Sequence, residues 1–356
     1  MSDFFNSRYA ALEPYTPGEQ PQGRSYIKLN TNESPYPPSE GVVAVLNRSE
    51  AEALRLYSDP TAAALKRALA ACYEVGEENV FCGNGSDEAL NFAFMAFGED
   101  GIAFPDISYG FYPVFAALNQ IRADVKPLKE DFTINTQDYL GIGKALVIAN
   151  PNAPTGICKE LSEIEKIAAS NPGHVVIIDE AYIDFGGKTA IPLTKKYKNL
   201  LVIQTFSKSR SMAGARVGYA IGDKALISDL ETIKYSTNPY NINRLSMAAA
   251  CAAVSDQAYY DENCRRIIET REWTKDALLT LGFTCLPSKA NFLFAAHKTA
   301  GGEFLYRRLK EEGILVRHFE KERIRDYNRI TIGSREQMEE LVGTLKQILG
   351  SLQEEV

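Results

Sequence analysis

TFSKSRSMAGARVG, residues 205 to 218, follows the apolar run LLVIQ and sets Lys208 just past a predicted buried strand, with Arg216 eight positions on. On its own such a lysine is a surface charge in a loop; its neighbours change the reading. An amine attacks a carbonyl only when neutral, and a strand-end site can depress its pKa by desolvation and by nearby positive charge. GNGSDEA, residues 83 to 89, places small residues before a helix and leaves the N–H groups of Ser86 and Asp87 free to hold a phosphate, although a glycine turn of this kind is ordinarily structural. VVIIDEAYIDF sets Asp179 after four apolar residues, where a buried carboxylate needs a cation. With the hydroxyls of Thr205 and Ser207 and the Ser86–Asp87 turn, Arg216 completes a cup for a phosphate dianion. The implied ligand has an aldehyde for Lys208, a phosphate for the cup and a protonated ring nitrogen for Asp179. Pyridoxal 5′-phosphate carries all three.

These residues need elements to position them. At 356 residues the chain exceeds the ~100–200 of an ordinary domain, so one large unit and a smaller one are expected. A composition of 45% hydrophobic and 24% charged residues is that of a soluble globular protein. No apolar run approaches the ~18 residues of a membrane span, so no membrane partner is expected. The opening MSDFFNSRYAALEPY lacks the basic-then-apolar order of a secretory signal, and the reading is cytoplasmic. Six cysteines without C-x-x-C spacing indicate neither a zinc site nor a disulfide framework; they are expected as reduced core thiols, and no metal is expected. A net charge of -7 without a basic block argues against nucleic acid and for small-molecule partners.

Residues 1 to about 40 form an arm, because SPYPPSEG holds neither a helix nor a central strand. TAAALKRALAACYEV has helical periodicity, and NVFCGNGSDEALNFAFMAF reads as strand, glycine turn and helix. GIAFP, ALVIAN, HVVIIDEAY and LLVIQTFSK follow as further strands between helical or polar stretches. This pattern predicts an α/β fold with a mostly parallel sheet covered on both faces, binding its ligand at the carboxyl ends of the strands. Beyond a long charged helix, ANFLFAAH, GILVRHF and NRITIGS read as strands between the helices EFLYRRLKEEG and REQMEELVGTLKQILGSLQ, a compact α+β unit.

The segment S-K followed by G-x-R-x-G, together with D-E-A-Y, N-P-x-x-P-T-G and the GNGSDE turn, resembles the fold-type I pyridoxal-phosphate aminotransferases of class I/II over nearly the whole chain. IKLNTNESPYPPS, LYSDP, NPYNINRLSMAAA and NRITIGSREQMEEL are similar to the branch of that family acting on histidinol phosphate. The resemblance implies an aspartate-aminotransferase-like fold, with a large cofactor domain at 41–265 and a small domain made of 1–40 and 266–356. It implies that Lys208 forms the imine with the cofactor and shuttles protons, that Asp179 keeps the pyridine nitrogen protonated, and that Tyr182 hydrogen-bonds the cofactor's O3′. Tyr109 is implied to stack on the ring, and Ser86, Asp87, Thr205, Ser207 and Arg216 to bind the phosphate. Tyr57 is implied to reach the cofactor of a second subunit, which makes the protein a homodimer. One position departs from the pattern: Ala153 stands where relatives carry an Asn that touches O3′, and Asn152 is expected to substitute.

For the substrate, the resemblance implies Arg329 and Arg317 around a phosphate dianion, with Tyr15 and Asn30 closing the site; paired guanidinium forks suit a phosphate. Arg317 as a solvated strand-end charge is the plainer alternative. The implied reaction is reversible ping-pong amino transfer between histidinol phosphate and 2-oxoglutarate, giving imidazole-acetol phosphate and glutamate. An aromatic amino-acid aminotransferase and a threonine-phosphate decarboxylase on the same scaffold remain as rivals, and so does a ligand-sensing regulator, for which no basic helix-turn-helix pattern is found.

Overall fold

The computed structural model describes residues 4–21 and 24–354; the expected small domain's residues 1–3, 22–23 and 355–356 lie outside them. The arm contributes one short strand, β1 (Ile27–Lys28). The main sheet is built from β2 (Val80–Gly83), β3 (Ile102–Pro105), β4 (Ala123–Lys126), β5 (Ala145–Ala149), β6 (Val176–Asp179), β7 (Leu200–Thr205) and β8 (Gly218–Gly222), in the order β2-β8-β7-β6-β5-β3-β4. All but β8 run in one direction. Side chains alternate between two cores, as a sheet covered on both faces requires. Val176, Ile178, Leu200 and Val202 pack with Leu65, Leu69 and Ile164 on one side. Ile177, Leu201 and Ile203 pack with Leu90, Phe94 and Phe115 on the other.

Two of these strands were not expected from the sequence. The edge strand β4 alternates exposed and half-buried residues, so it shows no apolar run. GYAIG of β8 follows Arg216 so closely that it reads as part of the glycine-rich loop.

The helix Gln257–Thr280 carries the chain away from the sheet. Its Tyr260 belongs to the first core, whereas its Cys264 and Ile267 pack with the C-terminal residues, so position 265 falls inside a continuous helix. Beyond it, β9 (Phe283–Cys285), β10 (Phe292–His297), β11 (Ile314–Leu315), β12 (Arg317–His318) and β13 (Tyr327–Thr331) follow. The antiparallel sheet β12-β13-β10-β9 packs with the helices Gly302–Glu311 and Arg335–Glu354. GILVRHF, expected as one strand, divides in two: β11 pairs with β1 of the arm and β12 with β13. Of the six cysteines, Cys82 and Cys264 are buried, while Cys72 is exposed rather than in the core. Among the described residues no helix is long and apolar enough to cross a membrane.

Candidate active site

Arg216 returns to Lys208 because of strand direction. Since β8 runs against both β2 and β7, it begins at the edge where they end, and Gly218 lies opposite Gly83 on one side and Thr205 on the other. A Cβ on Gly218 would collide with the backbone of Gly85 and Ser86, so glycine permits this close approach. The turn itself also needs glycine: Gly85 has φ +81°, and a Cβ there would meet the Arg216 guanidinium at 2.7 Å. The helix Ser86–Phe97 then starts without a side-chain cap, leaving its first N–H groups free for an anion at the cup. Arg216, itself left-handed at φ +54°, bonds Ser207 Oγ through Nη1 at 3.4 Å and Asp87 Oδ2 through Nη2 at 3.2 Å. Thr205 Oγ1 donates to Ser207 Oγ at 3.0 Å. Ser86, Asp87, Thr205, Ser207 and Arg216 thus meet at one end of a cavity of about 1240 Å³.

Asp179 closes β6 in the middle of the cavity. Its carboxylate is 5% exposed and accepts the Tyr112 hydroxyl at 2.8 Å and the Ala181 N–H at 3.2 Å. Burial pushes its pKa up to about 6 against the pull of those two donors. Lys208 Nζ lies over the Tyr182 ring, 5.8 Å from its centroid, and donates to the Thr31 carbonyl at 3.2 Å. Burial first, then the positive charges of Arg329 and Arg216, bring the Lys208 amine down to about 8, with Glu33 and Asp87 opposing. Tyr109 donates to Asp87 Oδ1 at 2.7 Å and stands edge-on to Tyr112. The Tyr182 hydroxyl accepts an N–H from Asn32 at 2.9 Å.

At the cavity's other end, β12 and β13 bring Arg317 directly opposite Arg329. Arg317 donates to the carbonyls of Thr16 and Pro17 in the arm, each at 3.1 Å. Arg329 donates to the Asn30 carbonyl at 2.9 Å, but its Nε is buried with no hydrogen-bond partner. Burial lowers the Arg329 pKa, and the Arg317 charge adds to the effect. Asn30 donates to the Glu19 carbonyl at 2.8 Å, and its Oδ1 is a second orphaned buried atom. Tyr15 stacks on Phe111 at 4.2 Å and joins the arm to the wall that holds Tyr109.

Two expected residues do not line this cavity. Asn152 is buried and spent: its amide donates to the Ile107 carbonyl at 2.9 Å and Thr155 Oγ1 at 3.2 Å, and its Oδ1 accepts Ser108 Oγ at 2.8 Å. It braces the turn, and Ala153 lines the cavity where the expected Asn152 does not. Tyr57 is 80% exposed and stacks on Tyr240 at 4.4 Å, away from its own chain's cavity. The sequence reading missed three polar residues. Tyr112 and Asn32 bond Asp179 and Tyr182, and His318, beside Arg317, has a buried Nδ1 without a partner. The only local signal was the second tyrosine of SYGFY and the NTN of the arm.

The residues present fit pyridoxal phosphate: a depressed amine for its aldehyde, an anion cup, and a buried carboxylate in no ion pair among the described residues.

A model of the family "Aminotransferase class I and II" matches residues 24–345. The histidinol-phosphate aminotransferase of Brachyspira hyodysenteriae is 50% identical over 352 residues, covering 98% of this chain and 99% of that protein. The protein of the same name from Acinetobacter baumannii is 49% identical over 350 residues, 97% of each chain. The solved structure of histidinol-phosphate aminotransferase from Sinorhizobium meliloti, in complex with pyridoxal-5′-phosphate, shares the fold with a TM-score of 0.85 at 24% identity, over 92% of each chain.

The neutral fraction of an amine rises with pH through its pKa, so a depressed amine reacts at lower pH than an ordinary lysine. Protein stripped of cofactor and mixed with pyridoxal phosphate is expected to attach it at a rate half-maximal near pH 8 rather than near 10.5. Borohydride reduction and peptide mapping should then mark Lys208. A midpoint near 10.5, or an adduct on another lysine, contradicts this assignment.

Proposed function

The chain belongs to the class I and II aminotransferases, and we propose that it moves an amino group between histidinol phosphate and 2-oxoglutarate, giving imidazole-acetol phosphate and glutamate. It is a pyridoxal-phosphate enzyme; the cofactor supplies an aldehyde to receive the amino group and a protonated ring to accept the electrons freed at the donor's α-carbon. Lys208 holds the cofactor in the resting enzyme. Its amine, with a pKa near 8, exchanges a proton readily around neutral pH, which suits it to serve as base and then acid at the donor's α-carbon. Asp179 keeps the proton on the ring nitrogen, and the nearby positive charge holds the carboxylate ionised in return. Tyr109 stacks on the ring. Tyr182 donates to O3′, and the Ser86–Asp87 turn, Thr205, Ser207 and Arg216 bind the cofactor's phosphate.

The observation that carries the substrate reading is the cross-strand pair Arg317–Arg329. Like charges directly opposite on neighbouring strands repel, and here one of the two, the half-buried Arg329, has a buried Nε without a partner. A phosphate dianion between the two forks neutralises both charges, whereas a carboxylate neutralises one. The names of the relatives at 50% and 49% identity support the same donor. Tyr15 and Asn30 cover this end of the cavity.

The same reading includes a cytoplasmic homodimer. Val43, Leu46, Leu54 and Leu56 are each about half exposed and Tyr57 is 80% exposed, apolar surface suited to a second copy. Six free cysteines fit a reducing compartment.

Arg317→Ala should cut turnover with histidinol phosphate by roughly 30-fold or more, as removal of one member of a desolvated charge pair commonly costs ~2–5 kcal/mol. Turnover with phenylalanine or glutamate should fall far less, because Arg317 supplies the charge that only a phosphate needs. Arg329→Ala should impair all three donors. Equal losses for every donor on Arg317→Ala contradict the phosphate reading. In a second experiment, mixing Tyr57→Phe and Lys208→Ala subunits and allowing exchange should restore activity above either parent, since some hybrids then contain one complete site. No recovery despite proven exchange places Tyr57 outside the partner's site.

A further inference from the structure

Among the described residues Tyr182 makes one side-chain hydrogen bond, and the partner comes from the arm: Asn32 Nδ2 donates to the Tyr182 hydroxyl oxygen at 2.9 Å. Asn32 is 1% exposed and has φ +57°, a left-handed conformation that asparagine takes more readily than other side chains. All its polar groups are engaged. The backbone N–H donates to Thr331 Oγ1 at 3.0 Å, the carbonyl accepts Asn291 Nδ2 at 3.0 Å, and Oδ1 accepts Thr331 Oγ1 at 3.0 Å.

This arrangement fixes which way the amide points. In the structure the Thr331 hydroxyl, which accepts the Asn32 N–H, donates its single hydrogen to Asn32 Oδ1. With Oδ1 turned to Thr331, the Asn32 NH₂ faces Tyr182. A phenol oxygen that accepts an N–H keeps its own hydrogen for another acceptor and becomes a stronger donor. The Asn152–Ala153 turn offers no amide for this task. Ala153 presents only a methyl group to the cavity, and the Asn152 amide is consumed in its own turn.

We infer that Asn32 is a positioning residue for the cofactor chemistry: it orients and polarises the Tyr182 hydroxyl as the donor to the cofactor's O3′, compensating for the amide that Ala153 lacks. The inference rests on the reading that Lys208 and Tyr182 hold pyridoxal phosphate. O3′ has two donors in that reading, the Tyr182 hydroxyl and the proton on the nitrogen that links Lys208 to the cofactor. Weakening the first makes losing the second costlier, so the pH midpoint of the bound cofactor's visible absorption change moves up. A purely structural Asn32, pinning the arm to β13 through Thr331, has no such effect.

The test uses the holoenzyme. Asn32→Gly removes the amide while a glycine still accepts the left-handed backbone. We expect the absorption midpoint to rise by about half a unit to one unit, and the cofactor dissociation constant to rise roughly three- to tenfold, the loss of one ordinary hydrogen bond. Tyr182→Phe should raise the midpoint by itself, and adding Asn32→Gly to it should raise it no further. A midpoint unchanged in Asn32→Gly, or effects of the two substitutions that add, overturns the inference even if thermal stability falls. If Asn32→Gly does not fold, Thr331→Val releases the amide to turn and should shift the midpoint in the same direction; no shift there overturns it equally. A midpoint unmoved by Tyr182→Phe overturns the parent reading of Tyr182, and this inference with it.

Discussion

A lysine amine that is largely withdrawn from water and partly uncharged is the constraint on which the rest of this structure depends. Burial alone would lower its pKa, but a buried amine with no companions is costly to fold around. The chain resolves this by surrounding Lys208 with charges of both signs. Arg329 and Arg216 push its pKa down and Glu33 and Asp87 hold it up, so the amine rests near 8. These four residues come from three parts of the chain: the arm, the main sheet and the C-terminal unit. The site therefore exists only when all three are folded together.

Sheet topology makes that assembly possible. Parallel strands collect their carboxyl ends on one edge, which sets Asp179 opposite Ile203 and in one cavity with Thr205 and Lys208. The single reversed strand β8 then brings Arg216 back to the same edge, between the turn after β2 and the end of β7. The C-terminal sheet adds charge by a different device, a hairpin-like pairing that aligns two arginines. The arm ties the two units together across the cavity. Tyr15 touches the wall of the main sheet, while the carbonyls of Thr16, Pro17 and Asn30 accept from Arg317 and Arg329.

Much of this was legible in the sequence because the signals are local. β5, β6 and β7 are continuous apolar runs ending in polar residues, so the positions of Asp179 and Lys208 follow from strand length alone. Arg317 and Arg329 stand in recognisable strands, and their convergence follows from pairing those strands. β4 and β8 were not legible, one because an edge strand shows no apolar run and the other because it is short and begins with a glycine. Asn32 and Tyr112 were missed for a different reason: they bond partners 150 and 67 residues away, and no local pattern encodes such a contact. Asn152 lies off the cavity for the same reason reversed. Its spacing was near enough, but the turn that contains it uses every polar atom of its side chain.

The central claim is that a phosphate-bearing amine is the donor this site is built to take. The most direct measurement is a single-turnover screen of the holoenzyme, following the loss of the bound cofactor's visible absorption with histidinol phosphate, glutamate, phenylalanine, tyrosine and threonine phosphate in turn. The account predicts the highest efficiency with histidinol phosphate, reaction with glutamate, and no carbon dioxide from threonine phosphate. Faster conversion with phenylalanine than with histidinol phosphate, or release of carbon dioxide with the absorption restored, contradicts it.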